Sequence, residues 1–268
     1  MHTDQQPYRR LHDDILEYQG DAMYDDVVRP WLRAADGERR WLDSVRTRRG
    51  DPIPSTETEE LWRLYALSRV LQLLQLPLAP RAADPSWTVA AIGTGEYVHL
   101  AETLGLERVD HPGFHPFYHE VVTVDQLPDD DAPPRVEEAH WPALRLGPLL
   151  VSRAGCRVAA GPRHVRKDVA ERSTLYWAYA RNHRPVQDLS AGWGGNSQWR
   201  TSFRRDYAVD GRLHYNVDAK PARGGGAAVD DHLSAGERAE LLRHRCFVTC
   251  TKPSDDRWPY DLTLTEDL

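Results

Sequence analysis

A chain of 268 residues, 40% hydrophobic with nine Trp and eleven Tyr, is long enough for one large domain or two modest ones and too rich in core-forming side chains for wholesale disorder. Its net charge of −7 disfavours a general nucleic-acid binder. No apolar run approaches the roughly twenty residues that span a bilayer, and the polar start does not read as a secretory signal, so a soluble protein of the cytoplasm, with no membrane partner, is expected.

Residues 1 to about 80 read as a helical N-terminal region packed on the rest. Leu11 and Ile15, then Met23, Val27 and Trp31, lie one helical turn apart, with Pro30 a kink or an end. The strongest pattern starts at Thr56, which with Glu59 has the spacing of a capping box. Leu61, Leu64, Leu67 or Ser68, Leu71 and Leu74 mark its apolar face, and Pro77 stops it.

From 81 to 268 an α+β region is expected: a mainly antiparallel, strand-rich part with a few helices, either a second domain or part of a single domain spanning 1–268. The run from Trp87 to Ile92, then Gly93-Thr94-Gly95 and a helical stretch from Glu96, has the order of a dinucleotide loop. The third glycine is missing, and Glu96 puts a carboxylate where a pyrophosphate would sit, which argues against nucleotide binding.

The segment His111-Pro-Gly-Phe-His115-Pro-Phe-Tyr-His119-Glu120 is the densest in histidine. His115, His119 and Glu120 are the candidate acid, base or catalytic groups, and His115, His119 and His140 the candidate ligands for a divalent transition metal, zinc or iron. Against a metal, Pro112, Gly113 and Pro116 suggest an extended loop, which separates i from i+4 by about 13 Å. Buried, hydrogen-bonded histidines are then the simpler reading. Leu149 to Ala160 reads as two strands around Arg153-Ala-Gly.

The stretch Ser190 to Asp218 organises the rest. Trp199, Thr201, Phe203, Arg205, Tyr207 and Val209 alternate as a strand, Asp210-Gly211 suits a type I′ turn, and Leu213, Tyr215 and Val217 return. Just upstream, Trp193 among glycines and then Asn196, Ser197 and Gln198 suit ligand contact through backbone and side-chain hydrogen bonds. Arg200, Arg204 and Arg205 add guanidinium forks for phosphate or carboxylate. Arg205 shares the apolar face of the strand and so needs a partner there, Asp218 or a ligand. Toward the C-terminus Ser234 opens a helix with Glu237 as its capping box, and Cys246 to Thr251 reads as a buried strand.

Charge is distributed unevenly: between Arg145 and Arg205 twelve basic residues face three acidic ones, a segment of +9 in a remainder of −16. Either the two parts pair internally or the basic part meets an anion. Lysine occurs only at 167, 220 and 252, an arginine bias of a GC-rich, bacterial type of coding sequence. Cys156, Cys246 and Cys250 lack a C-x-x-C pair and are expected to be reduced.

Together these features predict an enzyme or specific binder for a small anionic metabolite bearing phosphate or carboxylate, with or without metal assistance. The alternatives are a non-catalytic regulatory protein with a protein partner, and a single-stranded nucleic-acid binder using the arginine and aromatic residues from Trp193 to Tyr207.

Overall fold

A computed structural model describes residues 6–50, 52–80, 90–173, 199–219, 233–251 and 262–268. Helices α1 (Gln6–Glu17), α2 (Arg29–Ala34), α3 (Asp36–Arg46) and α4 (Thr58–Gln75) come first, with a π-helical turn at Tyr24–Val28 leading directly into α2. Pro30 falls in the first turn of α2, where a missing N–H costs nothing, so it starts that helix rather than breaking one. Helix α4 begins two residues later than the Thr56 capping pattern suggests, with Glu57 as a cap that makes no side-chain bond. Its leucine stripe is buried, and so are Ala66, Ser68, Arg69, Val70 and Gln75 on other faces. The helix is therefore central to the core, where the sequence pattern indicates a single apolar face. Paired carboxylates flank it: Glu38 on α3 holds Arg63 at 2.6 Å, and Glu60 holds Arg48.

Helix α5 (Thr94–Thr103) follows the glycine pair, and the Glu96 carboxylate accepts the Gly93 N–H at 2.8 Å. The helix N-terminus that a dinucleotide would need is thus occupied by a side chain, as the sequence argued. Residues 90–93 form no strand, and Trp87 lies outside the described residues.

Among the described residues nine strands follow: β1 (Glu107–Val109), β2 (His119–Gln126), β3 (Arg135–Trp141), β4 (Ala143–Leu146), β5 (Leu149–Ser152), β6 (Ala154–Ala160), β7 (Asp206–Val209), β8 (Arg212–Tyr215) and β9 (Leu264–Asp267). They form an antiparallel six-stranded sheet, β1-β4-β5-β7-β8-β9, and a mixed three-stranded sheet, β2-β6-β3, in which β2 runs parallel to β6. The fold is α+β, with helices first and a mainly antiparallel sheet after them, as expected. Two short helices complete it, the single turn α6 (Lys167–Ala170) and α7 (Ala235–His244). No helix among the described residues is long and apolar enough to cross a membrane.

One apolar core joins α1 to α5 with Leu144, Leu146, Leu149, Val151, Trp199, Phe203 and Tyr207. On the other side of the large sheet Leu150, Leu213 and Tyr215 pack on Phe117 and Tyr118, in the turn that opens β2. Arg153 is the single residue between β5 and β6, so it stands where the chain passes from one sheet to the other. The approach there is tight. A Cβ on Gly155 would fall 2.1 Å from Cζ2 of Trp141, whose indole N–H donates to the Arg153 carbonyl at 2.8 Å. Gly155→Ala must therefore displace a buried, hydrogen-bonded ring, and a loss of about 1–3 kcal/mol is expected in urea unfolding. A change under 0.5 kcal/mol would show that Trp141 has room to move.

Two expectations from the sequence change here. The strand read from Trp199 begins only at Asp206, because the Phe203 N–H bonds the Leu61 carbonyl of α4 and not a neighbouring strand. The turn at Asp210-Gly211 does have both residues at positive φ, 51° and 74°. Cys246 to Thr251 is buried at Cys246, Phe247 and Val248 but is not a strand. The Glu240 carboxylate accepts the N–H groups of Val248, Thr249 and Cys250, doing locally what a partner strand would have done. The capping box at Ser234 and Glu237 forms as predicted.

Candidate functional site

The histidine segment curls where an extended loop was expected. The His115 carbonyl accepts from the Tyr118 N–H at 3.0 Å and the His119 N–H at 2.9 Å. Pro116 is the second residue of this turn, a position its fixed φ favours, so the proline creates the approach it was read as preventing. Ring centroids of His111 lie 5.5 Å from His115 and 6.0 Å from His119, far inside the distance an extended loop imposes. Phe114 stacks on His119 at 5.7 Å and on His244, at the end of α7, at 6.3 Å.

Protonation follows from the backbone. The Phe117 N–H donates to His115 Nδ1 at 3.1 Å, and the His115 N–H donates to His119 Nδ1 at 3.0 Å. A neutral imidazole whose Nδ1 accepts carries its proton on Nε2, as His115 does, whereas His119 Nδ1 lies 3.0 Å from the His115 nitrogen and 3.1 Å from the His115 carbonyl, so either of its tautomers finds a backbone partner. Burial lowers the pKa of both, with His111 and Arg153 adding to the effect. His244 is pushed down to about 3 by burial, then Arg153, Arg243 and His115. All three are neutral at pH 7, and all three feel Arg153. The His119 ring also lines a cleft of about 210 Å³ with Arg108, His111 and Trp141.

His140 does not join them. It lies on β3, its Nδ1 3.8 Å from a Glu138 oxygen, and β6 separates β3 from β2. Strands two apart are about 10 Å distant, too far for one coordination sphere with His115 and His119. Among the described residues no group of three or more His, Cys, Asp or Glu has a metal-holding arrangement. Glu120, the second residue of β2, projects to the face opposite His119, and its carbonyl accepts from the Cys156 thiol at 3.4 Å. The expected union of Glu120 with the two histidines is therefore not formed, because neighbours on a strand alternate.

Trp193, Asn196, Ser197 and Gln198 lie outside the described residues. The three arginines that follow part company. Arg200 is exposed, its guanidinium 5.6 Å from the Trp62 ring centroid. Arg205 is bound bidentately to Asp218 at 2.6 Å for each bond, and it also donates to the Pro54 carbonyl and the Tyr207 hydroxyl. Of the two partners the sequence allowed for Arg205, the structure shows Asp218. Trp199, Phe203 and Tyr207 are buried, so these three rings are not exposed for bases to stack on.

Arg204 leads to a feature the sequence did not single out. Its Nε donates to Asp206 Oδ1 at 2.9 Å and its Nη2 to the Leu242 carbonyl at 2.5 Å. Arg245 Nη2 donates to Asp206 Oδ2 at 2.9 Å, and Arg153 Nη2 stands 3.8 Å from that same oxygen. Three guanidinium groups thus converge on one carboxylate, in the interior, where Asp206 is 0% and Arg153 4% exposed. Arg153 makes no hydrogen bond through Nε, Nη1 or Nη2, and Arg245 makes none through Nε. Burial, then Arg245 and Arg204, push Arg153 down to about 9, which leaves it charged at neutral pH.

Backbone geometry aims these groups. Arg245 caps α7 in the left-handed region at φ 59°, an uncommon conformation for a side chain of its size. Asn216, also left-handed at φ 54°, donates its N–H to Asp206 Oδ1 at 2.8 Å. The sequence held one usable sign of the cluster: a lone arginine between the apolar runs of β5 and β6 is expensive unless matched.

Elsewhere the basic segment is largely matched by carboxylates. Arg145 pairs with Glu107, Arg157 with Asp125 and Glu138, Arg163 with Asp131, and Lys167 with Glu171. Near the C-terminus Glu266 pairs with Arg243 and Asp267 with Arg212, both outside the segment. No family model, curated protein or solved structure matches the chain.

Proposed function

We propose that this protein is an enzyme or specific binder that takes a small anionic metabolite at the cluster of Arg153, Arg204, Arg245 and Asp206. The supporting observation is Arg153: a fully buried guanidinium with three nitrogens making no hydrogen bond. Buried charges are ordinarily paired and hydrogen-bonded, since the desolvation cost is otherwise uncompensated. An oxyanion accepting the fork of Arg153 supplies both the charge and the acceptors. His115, His119 and His244, neutral beside it, are the groups available to donate a hydrogen bond to such a ligand or to exchange a proton with it.

The test is thermal unfolding of the full chain at pH 7.5 and constant ionic strength with phosphate, sulfate, acetate or succinate added. At least one anion is expected to stabilise the protein, by about 2.7 kcal/mol at a hundredfold excess over its Kd. Arg153→Met is expected to remove the effect and Arg163→Met, at an exposed pair with Asp131, to leave it. Equal responses of wild type and Arg153→Met, or none in wild type, would overturn the reading.

A further inference from the structure

The charge balance of the cluster restricts the ligand further, on the assumption that the anion site above is real. Arg204 and Asp206 match one another through the 2.9 Å bond from Nε to Oδ1. Arg245 and Arg153 both address Oδ2, at 2.9 and 3.8 Å, and that one carboxylate is already matched by Arg204. Among the described residues, the other titratable groups that face Arg153 add no negative charge. The Tyr215 hydroxyl is pushed up by burial, and His115, His119 and His244 are neutral at pH 7. Glu266 is occupied by Arg243 at 2.5 Å. Among the described residues, the charges of Arg153 and Arg245 therefore both fall within a few ångströms of one oxygen atom of a carboxylate that Arg204 also engages.

A monocarboxylate neutralises one of these charges and leaves the other buried. A dicarboxylate carries two charges but spreads them along its carbon chain, while the two guanidinium groups meet at a single point. A tetrahedral oxyanion concentrates both charges and presents several acceptor oxygens, enough for Arg153 Nε, Nη1 and Nη2 together with Arg245 Nε. We propose that the ligand presents a localised dianion, the phosphoryl group of a phosphate monoester or a chemical equivalent, to Arg153 and Arg245.

Titration calorimetry on the wild-type chain tests this without a variant that might fail to fold. The probes are phenyl phosphate, sulfate, acetate and succinate, each measured at pH 5.5 and 7.5. A phosphate monoester has its second pKa near 6, so its dianionic fraction rises about fourfold over that interval, whereas sulfate is a dianion throughout. Protein titrations, including those of the three histidines, affect both ligands and cancel in the ratio. The expected result is that the affinity of phenyl phosphate relative to sulfate rises about fourfold from pH 5.5 to 7.5, with acetate and succinate at least tenfold weaker than either. A flat ratio, or acetate or succinate binding as tightly as sulfate, would overturn the dianion assignment while leaving the anion site standing. Failure of every probe to bind would remove both.

Discussion

Replacing Asp206 with Asn is expected to cost about 3–5 kcal/mol, because it removes the carboxylate from among three buried guanidinium groups and leaves their charges uncompensated. That is a large share of the total stability of an ordinary domain, about 5–15 kcal/mol, and soluble protein should unfold at much lower urea concentration. Burial by itself would raise the pKa of Asp206, but Arg204, Arg245 and Arg153 and the Asn216 N–H hold it at about 2. Its ionised form is favoured in the fold, so its contribution is complete above the unfolded value near 4 and disappears as pH falls toward 2. Arg153→Met should behave in the opposite way. It removes a charge that makes no hydrogen bond and replaces it with apolar volume, so stability should be unchanged or improved while anion binding is lost. The double variant Asp206→Asn with Arg153→Met should recover part of the loss, a coupling that urea midpoints of the four proteins would measure. If Asp206→Asn lies within 1 kcal/mol of wild type, the cluster does not exist as described.

Acid is expected to unfold the protein well above the pH at which carboxylates titrate. Burial holds His12 at about 4, with Arg69 adding to the effect, and holds His244 at about 3. His115, His119 and His140 are also lowered, in each case mainly by burial. The folded pKa of each lies below the unfolded value near 6.5, so between the two the unfolded chain binds the extra proton. Stability is therefore complete above pH 6.5 and falls as pH drops, by up to about 1.4 kcal/mol per pH unit for each such histidine. Between pH 6.5 and 4.5 His12 and His244 alone can remove up to about 5 kcal/mol on that scale. Urea melts at pH 7.5 and 4.5 would measure it, and His12→Gln should flatten the slope. Equal stability at the two pH values would mean that these imidazoles are not held neutral.

Functional and structural demands meet in the same few residues. An arginine buried without hydrogen bonds is a poor choice for stability, and on the proposal above its charge is completed by the anion it binds. The neighbouring histidines share the logic. His119 and His244 stack on Phe114, and burial disfavours their charged forms.

Much of the fold was legible from local chemistry. The leucine period of α4, the Asp210-Gly211 turn, the capping box of α7 and the alternation of β2 are decided within a dozen residues, by helix and strand periodicity and by which residues tolerate positive φ. Even the partner of Arg205 could be anticipated, since a guanidinium on an apolar face needs a carboxylate and Asp218 is near in sequence. Tertiary structure decided what depends on distance along the chain. Pro116 looked like an obstacle to the histidine cluster until the turn it starts brought His111, His115 and His119 together. His140, similar in sequence context, was separated from them by the insertion of β6. Arg153, Asp206 and Arg245 lie 53 and 39 residues apart in chain order, and no periodicity connects them. They meet because β5 pairs with β7 and α7 ends over that junction, where low dielectric converts three ordinary arginines and one aspartate into a site with excess charge.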